Sequence, residues 1–290
     1  MELFGGQGVK VFLNKLYEKV IETDVMSRAA QIAFYFSFAF FPLLFFLVTL
    51  FGLVLNATDS LEAELYQYLA QIMPGSAFDL VQKTLTEIVD ASSGGKLTFG
   101  LLITLWSASA GVDSVRGTLN SVYELKESRP WWSTKLQSLV LTLGFIVLIA
   151  VALGGVTAGW TLVKLGFGSV GLEVTSPWVL VTVQWVALLL VMLLATAIIY
   201  SWVPCFDKFR WVWISPGAVV AILLWIIFSA AFRTYLHYFN SYNKAYGSLG
   251  AVIILMLWMY LTGLAILLGG AINSTMTEMS EGRVDPEEKQ

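Results

Sequence analysis

Charge is what this chain lacks most. Lysine, arginine, aspartate and glutamate make up only 13% of its 290 residues, against about 25% in a typical soluble domain. Cys205 is the only cysteine, which excludes an intrachain disulfide and any CxxC site. His237 is the only histidine, which excludes a multi-histidine metal site. Seventeen basic residues stand against 20 acidic ones, a net charge of −3, so no basic surface suited to nucleic acid is expected. G-x-S-x-G, H-E-x-x-H, the P-loop and a strand-borne G-x-G-x-x-G are all missing. The acidic residues form no two-metal pattern within the apolar stretches. No catalytic residue, metal or cofactor is therefore assigned, and the chain reads as non-enzymatic.

What is present is apolar length. Charge-free runs extend from Ala29 to Thr58, Leu97 to Val112, Leu136 to Val163, Val174 to Phe206, Trp211 to Phe232 and Ala245 to Thr277. A helix needs about 20 apolar residues to cross a hydrocarbon core. All the runs except the second reach that length. Backbone amides in lipid must be paired within their own segment, so such runs mean helices. The expected fold is all-α: one polytopic membrane domain over residues 1–290, with six transmembrane helices near 33–55, 97–112, 137–163, 177–203, 214–235 and 248–273. No signal peptide is apparent, because the first apolar run starts late and is too long for one. Twelve of the 17 lysines and arginines fall on the side of the termini and of the second-to-third and fourth-to-fifth connections. The positive-inside rule then puts both termini in the cytoplasm.

Two segments outside the spans are also patterned as helices. Val9, Phe12, Leu13, Leu16, Tyr17 and Val20 form an apolar face on an N-terminal amphipathic helix, with Lys10, Asn14, Lys15, Glu18 and Glu22 opposite. It either lies on the cytoplasmic leaflet or docks on the bundle or a partner. Residues 56–96 pattern as an extracytoplasmic helical hairpin broken at Pro74-Gly75, either capping the bundle or forming a lid.

The second span is the unusual one. Its 16 charge-free residues make about 24 Å of helix, yet the apolar stripe continues through Val112, Val115, Leu119 and Val122. Asp113, Arg116, Asn120 and Glu124 line a polar face beside it at helical spacing. Ser107 to Gly111 are small and predict close helix contact. Ionisable groups beside a span face a cavity or one another, so Asp113 and Arg116 are either a structural pair or the mouth of a polar pathway with Asn120 and Tyr123. Arg233, His237, Asn240, Tyr242, Asn243 and Tyr246 form a second polar set between the fifth and sixth spans. That set reads either as a hydrogen-bonded corner around Gly247 or as part of the pathway, with His237 able to titrate near neutrality. Pro42 marks a kink or hinge in the first span. Gly155 with Gly159, and Ala265, Gly269 and Asn273, are small-residue packing faces.

Several stretches resemble the YihY/BrkB family of bacterial inner-membrane proteins. They are Ala29 to Phe36 running on to Leu44, Leu105 to Ser109 followed by Leu119, Asn120 and Tyr123, and Ser215 to Ala218 with Trp225. Tyr242-Asn243, Tyr246 to Ala251, Trp258, Tyr260 and Gly269 to Asn273 complete the set. The resemblance spans nearly the whole chain and implies a six-helix protein of the inner membrane. Family members have often carried the label ribonuclease BN, which one histidine and no basic groove do not support. The family's association with the envelope and virulence implies movement or handling of an envelope lipid or another amphipathic molecule. In that reading Arg116 and Arg233 pair with phosphate, and membrane lipids are the partners. A cation/proton exchanger using Asp113 is the alternative. So is a scaffold for envelope assembly, its glycine faces docking a second copy or an envelope protein.

Overall fold

The computed structural model describes residues 8–54, 94–168, 177–206, 211–238 and 248–280. Among them the chain is entirely helical, in seven helices: α1 (Val9–Glu22), α2 (Val25–Val54), α3 (Gly94–Val122), α4 (Trp131–Gly168), α5 (Pro177–Ser201), α6 (Pro216–Tyr238) and α7 (Ser248–Ser280). The hairpin expected over residues 56–96 lies outside the described residues except for the first turn of α3. Asn240, Tyr242, Asn243, Tyr246 and Gly247 also lie outside them.

Helices α2 to α7 form a ring in chain order. Each packs on its neighbour in sequence, and α7 closes the ring on α2. Helix α7 also touches α3 and carries α1 on its flank. Among the described residues, four helices hold windows long and apolar enough to cross a membrane: Trp131–Ala152, Thr182–Ser201, Pro216–Leu236 and Val252–Ser280. Only 11% of the α5 and α6 windows is buried inside the bundle. Their outward faces, including Val186, Leu190, Leu223 and Ile227, are exposed and apolar, as lipid-facing surfaces must be. The protein is a polytopic helical membrane protein.

Helix α3 does not stop where the charge-free run stops. It continues for ten residues past Val112, because Val115, Leu119 and Val122 bury completely or nearly so against the core. Its small stretch does permit close approach: a Cβ on Gly111 would lie 3.1 Å from the Phe36 ring of α2. The helix ends in a Schellman-type turn. Glu124 takes a positive φ of 56°, Leu125 N–H donates to the Asn120 carbonyl and Glu124 N–H to that of Ser121. Pro42 sits inside α2 without ending it.

The best-packed core lies at one end of the ring. Val25, Ala29 and Ile32 of α2, Leu119 and Val122 of α3, Leu141 of α4, Tyr200 of α5, Ala218 and Ala221 of α6, and Leu267 and Ala271 of α7 meet there. This is the end that carries α1 and the α3–α4 and α5–α6 connections. The start of α6 is fixed tightly in it. Pro216 occupies the first helical position, where its missing N–H costs nothing. The Ser215 hydroxyl accepts from Ala218 N–H at 3.1 Å. The Asn273 side chain of α7 accepts from Gly217 N–H at 2.8 Å and donates to Ser215 at 2.9 Å. Gly269 and Asn273 thus lie against the start of α6. Gly155 and Gly159 fall within α4.

The structure divides the apolar face expected on the N-terminal helix. Leu16 and Val20 pack on the core, while Val9, Leu13, Tyr17 and Ile21 repeat every four residues and stay exposed. That outward apolar stripe suits a membrane interface. Docking is clamped by Lys19, which sequence reading counted only as a topogenic charge. Its ammonium is buried and reaches Glu124 at the end of α3 at 3.0 Å. It also donates to Ser274 of α7 at 3.0 Å and pairs closely with Glu278. Replacing Lys19 with alanine leaves two carboxylates facing each other and removes the tie to α7. We expect a loss of about 1–3 kcal/mol, below the fully buried range because both carboxylates are partly exposed. Hydrogen exchange should rise selectively over residues 9–22; unchanged protection there would contradict the clamp.

Candidate functional site

Polar stripes on α3 and α4 face each other at the same end of the ring. On α3 the stripe is Ser109, Asp113, Arg116 and Asn120. On α4 it is Thr134, Lys135, Ser138 and Thr142, all buried. Asp113 is the hub. Its Oδ1 accepts from Arg116 Nη2 at 2.6 Å and from the Ser138 hydroxyl at 2.5 Å. Its Oδ2 accepts from Lys135 Nζ at 2.9 Å. Lys135 also donates to Ser109 at 2.7 Å and lies 4.5 Å from the centre of the Trp106 ring. Arg116 Nη1 donates to the Thr134 carbonyl at 2.8 Å and to Ser138 at 2.6 Å. The Arg116 and Lys135 side chains are only 12% and 10% exposed, so their charges depend on these partners.

The α3–α4 connection extends the network. Arg129 grips Glu127 through two nitrogens, at 2.7 and 2.8 Å, a bidentate geometry among the strongest available. Arg129 Nη1 donates to Gln137 at 2.7 Å. Gln137 Nε2 in turn donates to the Trp202 carbonyl at 2.5 Å. Asn120 ties three segments: it donates to Glu127 at 3.1 Å and accepts from Cys205 N–H at 2.8 Å, while its own carbonyl takes Leu125 N–H. Beside it, Tyr123 hydrogen-bonds Asn273 and sets its ring against Phe206 at 5.2 Å. Burial pushes the Tyr123 phenol up, offset in part by the Asn273 bond.

The hydrogen bonds from Arg129 hold the Glu127 carboxyl down at about 2, against the opposing effect of burial. Glu127 in turn holds the Arg129 guanidinium above its ordinary value, burial again opposing. A depressed carboxyl contributes stability above its unfolded pKa and loses it as pH falls through the folded one. The unfolding temperature should therefore drop between about pH 4.5 and pH 2. In Glu127→Gln that part of the drop should vanish, which thermal melts across this range would show.

The structure brings Asp113, Arg116, Asn120 and Tyr123 together, with Gly269 and Asn273 alongside. It does not bring Arg233 to them. Arg233 is exposed, sixteen residues beyond Gly217 on α6, hence about 24 Å towards the opposite end of the ring. His237 lies in the last turn of α6. Sequence reading missed Glu127, Arg129, Lys135, Ser138 and Gln137. The signal was present for two of them: Thr134, Ser138 and Thr142 repeat every four residues, and Lys135 sits beside that stripe.

Below the network a cleft of about 410 Å³ opens between the start of α4 and the end of α5. Arg129, Ser133, Gln137 and Ser201 supply its polar lining, and Leu136, Val140, Trp202, Pro204 and Phe206 its apolar one. Among the described residues, no three histidine, cysteine, aspartate or glutamate side chains are grouped to hold a metal.

No solved structure matches the chain. A relative from Bacillus subtilis (strain 168), named ribonuclease-like protein YfkH, is 33% identical over 193 residues, covering 67% of this chain and 69% of the relative. The family model described as "Virulence factor BrkB" matches residues 16–290, so nearly all of the ring and its polar end fall within the match. This chain belongs to the BrkB virulence-factor family.

Proposed function

We propose that the protein handles an anionic lipid or a similar amphipathic molecule of the bacterial envelope, and does so without catalysis. One observation carries this reading. Within the α3–α4 network, at one end of a ring with apolar, exposed outer faces, Arg116, Lys135 and Arg129 stand against Asp113 and Glu127. The surplus positive charge there suits a phosphate headgroup, while the outer faces suit acyl chains. Six spans with both termini cytoplasmic, in the inner membrane, complete the reading. The positive-inside rule then puts this end at the cytoplasmic leaflet, with Arg233 and His237 towards the outer one. No nucleotide motif is present, so movement is downhill or coupled to a partner.

The ribonuclease-like name of the relative does not favour RNA here, because a net charge of −3 offers little to a phosphodiester backbone. Native mass spectrometry of gently purified protein tests the reading. A selectively retained anionic lipid, weakened in Arg116→Ala, supports it. Bulk lipid in both, with cation-driven proton flux that disappears in Asp113→Asn, would replace it with exchange. Bulk lipid with a specific co-purifying envelope protein would replace it with scaffolding.

A further inference from the structure

The polar network is packed inside the helices, but one of its cations also lines an open surface. Arg129 is 24% exposed at its side chain and lines the cleft between α4 and α5 together with Ser133 and Gln137. Along α4 the lining residues Ser133, Leu136, Gln137 and Val140 fall on one helix face and climb about 10 Å. The lining changes character along that climb. Arg129 and Ser133 stand at the mouth, Gln137 a turn further in, and then Val140, with Leu136 and Trp202 as apolar walls. Leu136, Val140 and Trp202 are 62%, 49% and 43% exposed, although the first two lie in a window built to cross a membrane. Trp131 and Trp132 at the mouth are exposed too, as indole rings at headgroup level are. The cleft therefore runs from headgroup depth into the hydrocarbon.

We propose that this cleft is a subsite for one anionic glycerophospholipid, with Arg129 and Ser133 meeting the phosphate, Gln137 near the ester level, and the upper chain lying on Leu136, Val140 and Trp202. It rests on the lipid-handling reading and gives it a place. The donors at the mouth select the occupant. Arg129 is the charged residue in the lining; Glu127, Gln137 and the Val203 carbonyl take four of its five N–H groups, which leaves one Nη1 hydrogen beside Ser133 for a phosphate oxygen, and the positive end of the α4 dipole adds to the mouth. A soluble phosphate would leave the apolar half of the cleft bare. A volume of about 410 Å³ suits a headgroup with the first part of a chain rather than a whole lipid.

The test uses the full chain in nanodiscs of phosphatidylcholine with a minor fraction of phosphatidylglycerol, followed by extraction and quantification of the retained lipid. Wild type should enrich phosphatidylglycerol roughly tenfold, the scale of one charge-assisted contact. Val140→Trp fills the apolar half without touching the ion network. Glu127→Gln combined with Arg129→Gln removes the cleft's own cation together with the carboxylate that balances it, and leaves Arg116 and Lys135 on Asp113. Both should fall to the bulk lipid ratio while keeping their elution as folded protein. Inorganic phosphate should not displace the lipid; displacement would mean a headgroup-only site and overturn the seat proposed for the chain. Enrichment in wild type that persists in both variants would overturn the cleft but leave lipid handling standing. No enrichment in wild type would overturn both.

Discussion

Asp113→Ala should cost about 3 kcal/mol or more of bundle stability, seen as a lower unfolding temperature in detergent. The cost comes from what is left behind. Arg116 and Lys135 lose the carboxylate they share at 2.6 and 2.9 Å, and each is nearly enclosed by α3 and α4. Breaking a buried pair by removing one partner costs about 3–5 kcal/mol, chiefly the desolvation of the stranded charge. Asp113 is itself 28% exposed, so the lower part of that range is expected. Asp113→Asn keeps an acceptor for Ser138 but no charge, and should fall between wild type and alanine. Pairing Asp113→Ala with Lys135→Met removes one stranded cation and should cost less than the sum of the two single changes. An additive result would mean that Asp113 and Lys135 are not coupled.

The second large effect should come from Gly269 of α7. A Cβ there would overlap the Tyr200 hydroxyl and come within 2.5 Å of the Gly217 carbonyl oxygen and 2.8 Å of the Ala221 Cβ. Two of these are backbone or backbone-anchored, so little can yield. The Tyr200 hydroxyl is moreover committed to the Ile266 carbonyl at 2.8 Å. Overpacking a tight site costs about 1–3 kcal/mol and sometimes more, and Gly269→Ala should sit at the top of that range. Gly269→Leu should prevent α6 from seating on α7. Gly144→Ala is the control. A Cβ at Gly144 meets nothing within 4 Å, so the change should be neutral or stabilising by up to about 1 kcal/mol. Thermal melts of the three variants decide the matter, and similar losses at Gly144 and Gly269 would contradict the assigned packing.

Helical class was legible because it depends on local pattern: charge-free length gives apolar helices. The continuation of α3 past Val112 was legible for the same reason. Partner choice was not. Asp113 and Arg116 are three residues apart and invite a simple pair, yet Lys135 and Ser138 complete the cluster from more than 20 residues away. Lys19 counted only among the basic residues that set topology. Its neighbours Ser274 and Glu278 lie over 250 residues distant, and only ring closure by α7 brings them near. Arg129 read as one more basic loop residue, since the cleft it lines exists only once α4 and α5 are packed.

Service of an anionic lipid at the polar end of the ring is measured most directly as lipid movement. The protein is reconstituted in vesicles carrying a trace of fluorescent phosphatidylglycerol, and a membrane-impermeant reductant bleaches whatever reaches the outer leaflet. Bleaching should pass the outer-leaflet fraction for phosphatidylglycerol, be slower for the matching phosphatidylcholine probe, and be reduced for phosphatidylglycerol in Glu127→Gln/Arg129→Gln. Bleaching that stops at the outer-leaflet fraction for both lipids, with folded protein in the vesicles, would contradict lipid movement by this protein.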